Sequence, residues 1–522
     1  MANVLKSNKF KAITVPILML LILGALLLYR NLQLQQVLPT EGWSRSVQLP
    51  ATMPGITEQP FVQQDGEKYH IYTYNENSIG DLVIDGKLNV LKQSSIPVKV
   101  EKGASFWAKG SEIIFLDDGK LFYSDGDGRK LITSGVGGMK AVPDNIVIRK
   151  GHELYKVDPD SRKTQMIGKV QHEIQEIVLN SNHGLFLVVS KIDNTHHAVT
   201  LFRPKENGDY EKMNMPSIEH GYGLSLAGFD IAVNESELNL LYSVYSGKSR
   251  DIYLTTYNLA DLQAEASVQQ LLFRNKTSEL PIEDVANVSI SYRNQEPVLI
   301  FTGNGVLSGG LKAQSIFRAE QHKGEIWLAD RISSTKEPSR VPFWLHDGAV
   351  LWLDFEGYDR HIVTGASQDP EVIEESLQLT DEDWGDAFSH MLPTLTGSLL
   401  MFFYACFLWA LPVAGFLLLL IMVSLTMMER NPPWIKYVSM VLFVLMQLFF
   451  INAVLDGRFF EFAPNYLTFP GAIYVIPVLM AILSWLIVEW VKGKEWDNIG
   501  QIIYFIGLDG MILAFLMGPY MI

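Results

Sequence analysis

Five uncharged runs interrupt an otherwise polar chain. One extends from Ala12 to Tyr29, and four crowd the C-terminal part: Met391 to Met428, Tyr437 to Leu455, Leu467 to Val488 and Ile499 to Ile522, the last broken only by Asp509. At about 1.5 Å of rise per residue, about 20 apolar residues cross the ~30 Å hydrocarbon core of a bilayer. Each run therefore predicts a membrane-crossing helix. Met391 to Met428 is too long for one straight span, and Leu411, Pro412, Val413, Ala414 and Gly415 in its middle mark a kink or a re-entrant turn. Charge separates the two. With a single kinked span, Lys6, Lys9, Lys11, Arg430, Lys436, Lys492 and Lys494 all fall on one side, while the other keeps Arg30, Arg458 and an acidic approach from Asp369 to Asp386. Positive-inside bias then gives five spans, a cytoplasmic N-terminus, and a C-terminus and polar segment outside the cytoplasm. The first run ends in Leu26, Leu27, Leu28 and Tyr29, without the small residues of a cleavage site, so it predicts an anchor that is retained.

The polar segment reads as β-structure. Runs of β-branched and aromatic residues recur at Tyr69 to Tyr74, Glu112 to Leu116, Asn145 to Ile148, Leu185 to Ser190, Leu238 to Tyr245, Val298 to Thr302 and Ala349 to Phe355. Turns rich in aspartate and glycine lie among them: Ile84, Asp85, Gly86, Lys87, Leu88; then Leu116, Asp117, Asp118, Gly119, Lys120, Leu121; more loosely Lys150, Gly151, His152, Glu153, Leu154. Glycine supplies the positive φ such hairpin turns demand. Four-stranded units at this period predict a β-propeller of about seven blades over residues 60 to 365, closed about an axis so that strand edges are protected. A pair of β-sandwiches would space its strands similarly. At the level of fold, the segment resembles bacterial membrane-anchored β-propeller-like proteins. It lacks the tryptophan-aspartate signature of WD40 repeats, the aspartate boxes of sialidases and the tryptophan motifs of quinoproteins.

The expected fold class is thus an all-β extracytoplasmic domain plus an α-helical membrane bundle of five spans. The expected layout is a cytoplasmic tail (1–11), a transmembrane anchor (12–30), the propeller-like domain (31–365), an acidic juxtamembrane linker or short amphipathic helix (366–390) and a four-span membrane domain (391–522). A net charge of −15 argues against nucleic acid as a partner, because such binders need a basic surface to displace counterions from phosphates. The single cysteine, Cys406, lies in an apolar run, so the polar domain holds together without disulfides, a pattern that suits a bacterial cell envelope.

Most chemical constellations fail on inspection. Asp125, Gly126, Asp127 and Gly128 open like a calcium loop, but Arg129 and Lys130 stand where a ligand and a glycine are needed. Gly223, Leu224, Ser225, Leu226 and Ala227 approach a nucleophile elbow but end in alanine. His196 and His197 point to opposite faces of a strand and do not readily share one metal. No cofactor or metal signature survives. Asp509 is different: about 15 Å along the last run, it places a carboxylate near the bilayer centre, where a charge costs about 3 kcal/mol or more. It predicts a proton-linked or partner-binding site, or else a neutral acid hydrogen-bonded to Gln447 or Asn452 of the third span. Arg458, Phe459, Phe460, Glu461 and Phe462 form a short outer loop, either a platform for the propeller or an aromatic belt at the headgroups. The function these features favour is a non-enzymatic binding or sensing propeller coupled to a membrane or envelope protein partner in the lipid bilayer. An accessory or substrate-capture subunit of a transporter, working as a homo-oligomer or with a partner, is the first alternative. An enzyme acting on an envelope polymer is the second.

Overall fold

A computed structural model describes residues 8–55, 59–101, 103–126, 128–180, 184–206, 208–262, 264–306, 312–424, 426, 429–455, 459–460, 463–493 and 496–520. The chain forms two compact units, Leu38–Gln378 and the flanking pair Met1–Val37 with Leu379–Ile522.

The first unit is a seven-bladed β-propeller. Its blades span 61–96, 106–134, 138–169, 173–219, 225–270, 283–331 and 339–367, each an antiparallel sheet laid down strand by strand from the first outwards. The first strands of successive blades contact one another and line the axis. Every β-rich run recognised in the sequence is the second strand of its blade. The reason is burial on both faces: Ile113, Ile114 and Phe115 of blade two, and Ile146, Val147 and Ile148 of blade three, are all 0% exposed, because adjacent blades cover both sides of the sheet. Such strands read as continuous apolar runs.

The ring closes upstream of residue 60. Val47–Pro54 pairs antiparallel with Arg360–Ser367 as the outermost strand of blade seven, so that both ends of the unit share one sheet. Pro50 and Pro54 are tolerated there because the edge strand needs no donor on its outer side, and the register shifts between Gln48 and Thr52 around Pro50. Leu49, Ala51 and Met53 pack with Leu82, Ile84, Leu351 and Val363, joining blades one and seven. Blades five and six are also stitched together: Ser267–Gln270 pairs within blade five, and the next residues, Leu272–Asn275, add a parallel strand to the edge of blade six. At two of the quoted turns the positive φ falls on glycine as expected, Gly119 and Gly151; at the other it falls on Leu88 rather than Gly86.

The second unit is helical. It contains α1 (Asn8–Gln35), α3 (Asp381–Val423), α4 (Pro433–Val454), α5 (Ala472–Val491) and α6 (Asn498–Met517), all long and apolar enough to cross a membrane; α2 (Pro370–Ser376) belongs to the propeller unit. The long uncharged run is one continuous helix through Pro412 as far as Val423, with no re-entrant turn. That helix also takes in the last part (381–390) of the segment expected to be a linker or short amphipathic helix, since α3 starts at Asp381 behind a capping box of Thr380 and Asp383. At 43 residues it is ~65 Å long, about twice the hydrocarbon thickness. Contacts between helix ends give alternating directions. Phe416 near the end of α3 meets Trp434 at the start of α4, Lys11 of α1 lies over Trp490 at the end of α5, and Asn31 at the end of α1 donates to the Ala387 carbonyl early in α3.

Candidate functional site

Helix α6 touches each of the other four long apolar helices. Its position depends on small residues. A Cβ at Gly510 would stand 2.2 Å from Cys406 Sγ, and one at Gly518 would stand 2.8 Å from the Cα of Ser398, so α3 and α6 cross closer than any side chain there permits. On α6 next to Gly510, Asp509 is 0% exposed. Gln447 of α4 donates its Nε2 to Asp509 Oδ2, and the Ser484 hydroxyl of α5 donates to Asp509 Oδ1 at 3.4 Å. Three helices therefore converge on one carboxylate. No described basic side chain is paired with it, and Gln447 Oε1 is buried without a hydrogen-bond partner.

A second polar layer lies eight residues towards the start of α6, ~12 Å away. There Lys436 Nζ meets Glu489 Oε1 at 2.6 Å and Gln501 Oε1 at 3.1 Å; Glu489 also pairs with Lys492, and Gln501 Nε2 donates to the Trp496 carbonyl. Tyr504 donates to the Ala12 carbonyl at 3.0 Å, tying α1 to α6 at the same end. Between the layers, Phe443 packs edge-on against Trp409 (6.2 Å between centroids) and Phe505 (5.9 Å). The bundle interior thus alternates: ion-paired, aromatic, acidic.

Of the residues singled out in the sequence, the structure brings Asp509 and Gln447 together and leaves Asn452 apart; Asn452 is exposed and donates to the Tyr474 hydroxyl at 3.1 Å. Ser484 completes the Asp509 site, yet a serine in an apolar run carries no signal of its own. Phe459 is buried in the bundle core and Phe460 is half-exposed; Arg458, Glu461 and Phe462 lie outside the described residues.

In the propeller, His197 is buried and faces His220, Nδ1 to Nε2 3.2 Å, while His196 turns to Asp193 on the opposite side. Burial, helped by His220 and Lys191, holds the His197 pKa down at about 4. Asp354 accepts from Trp352 Nε1 (2.8 Å), Ser339 Oγ (2.6 Å) and Thr335 Oγ1 (3.2 Å); burial nonetheless pushes its pKa up to about 6. Asp230 accepts from Ser289 Oγ and the Ile290 amide, a tie between blades five and six. In the rejected calcium loop, Lys130 reaches Asp125 and Arg129 reaches Asp117; Asp127 lies outside the described residues. Among the described residues no three histidine, cysteine or acidic side chains are grouped to hold a metal.

No family model and no curated protein matches the chain. Among solved structures it is similar to the N-terminal domain of Nup159, at 12% identity over 63% of this chain and 96% of that one, with a TM-score of 0.35. It is also similar to BBS1N, solved in complex with ARL6DN (10% identity, 63% and 99% coverage, TM-score 0.37), and to Hsv2p of Kluyveromyces lactis (10%, 59% and 96%, 0.32).

Proposed function

We propose that this is an integral membrane protein of the cell envelope, whose propeller is an extracytoplasmic binding or sensing module coupled through the helical bundle to a membrane partner. The observation that carries the reading is the combination of a closed seven-bladed ring with a bundle whose interior is polar at two levels. A propeller offers broad, rigid faces suited to binding, and its fold alone licenses no chemistry. A bundle serving only to anchor needs no buried carboxylate. Lys11, Lys436 and Lys492 gather at one end of the bundle, and positive-inside bias puts that end in the cytoplasm. Residues 38–378 then face the outside, as does the end of α6.

The test is in-cell crosslinking followed by purification of the tagged full-length protein, beside a chain cut after residue 378 that keeps α1. A common extracytoplasmic partner in both would support the propeller as the binding module. A membrane protein recovered only with the full-length chain would support coupling through the bundle. Failure to enrich any protein with either would overturn the proposal. The Asp509 site also favours a second reading, an accessory subunit of a transporter, which requires transport by the recovered membrane partner to fall when Asp509 is replaced.

A further inference from the structure

We infer that Asp509, Gln447 and Ser484 form a binding site for a monovalent cation, with sodium as the ion its chemistry fits. The argument begins with charge. A carboxylate at 0% exposure in an apolar bundle, with no described basic partner, is neutralised either by a proton or by a bound cation.

Hydrogen-bond bookkeeping leaves a ligand free for the cation. As an ionised group, Asp509 accepts from Gln447 Nε2 and from the Ser484 hydroxyl, but Gln447 Oε1 stays buried and unpaired. Protonating Asp509 gives Ser484 or Gln447 a donor; with the amide in place Oε1 is still unpaired, and with the amide turned over its NH2 group takes the vacant position instead. Neither proton state closes the set. Buried polar atoms without partners mark sites that a water or an ion completes.

The donors also specify the ion. They are a carboxylate, a hydroxyl and an amide carbonyl, hard oxygen ligands that suit a hard cation and not a thiophilic or imidazole-seeking metal. One carboxylate among neutral ligands balances a single positive charge, whereas a divalent ion would leave the bundle interior charged. Three helices supply the three ligands, so binding draws α4, α5 and α6 together, as in membrane proteins where cation sites form between helices near the midplane. This inference is independent of what the propeller binds.

The experiment uses the full-length protein purified in mild detergent at one pH, in choline chloride, and titrated with sodium chloride or potassium chloride at constant ionic strength. Thermal unfolding is followed by tryptophan fluorescence, and binding by equilibrium dialysis of radioactive sodium. The expected result is a saturable rise in the unfolding midpoint with sodium, a smaller one with potassium, and one sodium bound per chain. Asp509→Asn should abolish both. Ser484→Ala, a milder change that keeps the proposal testable if Asp509→Asn does not fold, should raise the sodium concentration for half-saturation by about tenfold, the equivalent of ~1.4 kcal/mol for one lost ligand. Equal midpoints in all three salts, or an undiminished sodium response in both variants, would overturn the inference. So would a wild-type protein that, in a parallel series at lower pH, is stabilised by acid and stays indifferent to sodium, which would make Asp509 a neutral acid.

Discussion

Replacing Gly510 by alanine sets a local gain against a collision. In a helix interior the change from glycine to alanine is worth up to about 1 kcal/mol in intrinsic propensity. The new methyl, however, would stand 2.2 Å from Cys406 Sγ, far inside the ~3.5–4.0 Å at which such atoms attract, with Phe402 ring carbons at 3.5 and 3.7 Å blocking a sideways escape. Overpacking of this kind typically costs 1–3 kcal/mol. The collision therefore outweighs the propensity, and Gly510→Ala should lose up to about 2 kcal/mol. Three companion variants isolate the cause. Gly507→Ala, on the same helix with nothing within 4 Å of the new Cβ, should be neutral or stabilising. Cys406→Ala combined with Gly510→Ala removes the struck sulfur and should recover most of the loss, a coupling readable in a double-mutant cycle. Gly518→Ala strikes the Cα of Ser398 at 2.8 Å, which no side-chain rotation relieves, and should be the most damaging of the set. The assay is thermal unfolding of the detergent-solubilised protein by intrinsic fluorescence, which does not depend on the cysteine. If Gly510→Ala is as stable as Gly507→Ala, or if Cys406→Ala gives no rescue, α3 and α6 do not cross as described.

Other outcomes follow from buried groups elsewhere. Leu49→Ala, at 1% exposure on the closing strand, should remove about 3 kcal/mol from the propeller in urea unfolding, while an exposed site such as Tyr358 should tolerate alanine; equal effects would place the closure elsewhere. Asp354, raised from 3.8 to about 6, binds its proton more tightly folded than unfolded, so its contribution of about 3 kcal/mol is present below pH 4 and is lost as pH rises towards 6. His197, lowered from 6.5 to about 4, acts in the opposite direction, since the unfolded chain takes up the proton first and stability falls as pH drops from 6.5 towards 4. Between pH 4 and 6, Asp354→Asn should make the protein more acid-labile and His197→Asn less so; matching pH profiles in the two variants would refute the assignment. Lys436→Met, which strands Glu489 with Lys492 as its remaining partner, should cost ~1–2 kcal/mol, and adding Glu489→Gln should recover part of it in the same thermal assay.

What the sequence reveals about this fold depends on burial. Second strands such as Asn145–Lys150 are legible because both faces are covered, whereas outer strands such as Arg129–Ser134, mostly exposed, look like loop. The closing strand is concealed for a physical reason: its two prolines argue against a strand everywhere except on an outer edge, where it lies. Leu272–Asn275 is four residues long, and nothing local announces that it crosses to the next blade. The acidic stretch from Asp381 reads as either linker or short amphipathic helix, and it is the capping box of Thr380 and Asp383 that starts the helix there. In the bundle, Asp509 and Gln447 stand out against apolar neighbours, and their spacing along two spans permits the contact that forms. Asn452, one and a half turns beyond Gln447, is turned out of the core by helical rotation. Lys436 carries a charge near a span end, where sequence reads it as a topology marker; only packing shows that it meets Glu489.

Helix α6 is where these features come together. An anchor requires an apolar exterior and nothing more, and a bundle filled with leucine would be at least as stable as one that buries Lys436, Glu489, Gln447 and Asp509. α6 instead carries Gln501 to the ion-paired layer, Asp509 to the acidic one, and Gly510 and Gly518 to the close crossing with α3. The glycines pack α6 closely against α3, whereas α4 and α5 hold the two hydrogen-bond partners of Asp509. Those helices also share the Lys436–Glu489 pair, one partner on each. On the function proposed above, an event that alters the charge or occupancy at Asp509 would act on the spacing of α4 and α5, which hold its two hydrogen-bond partners.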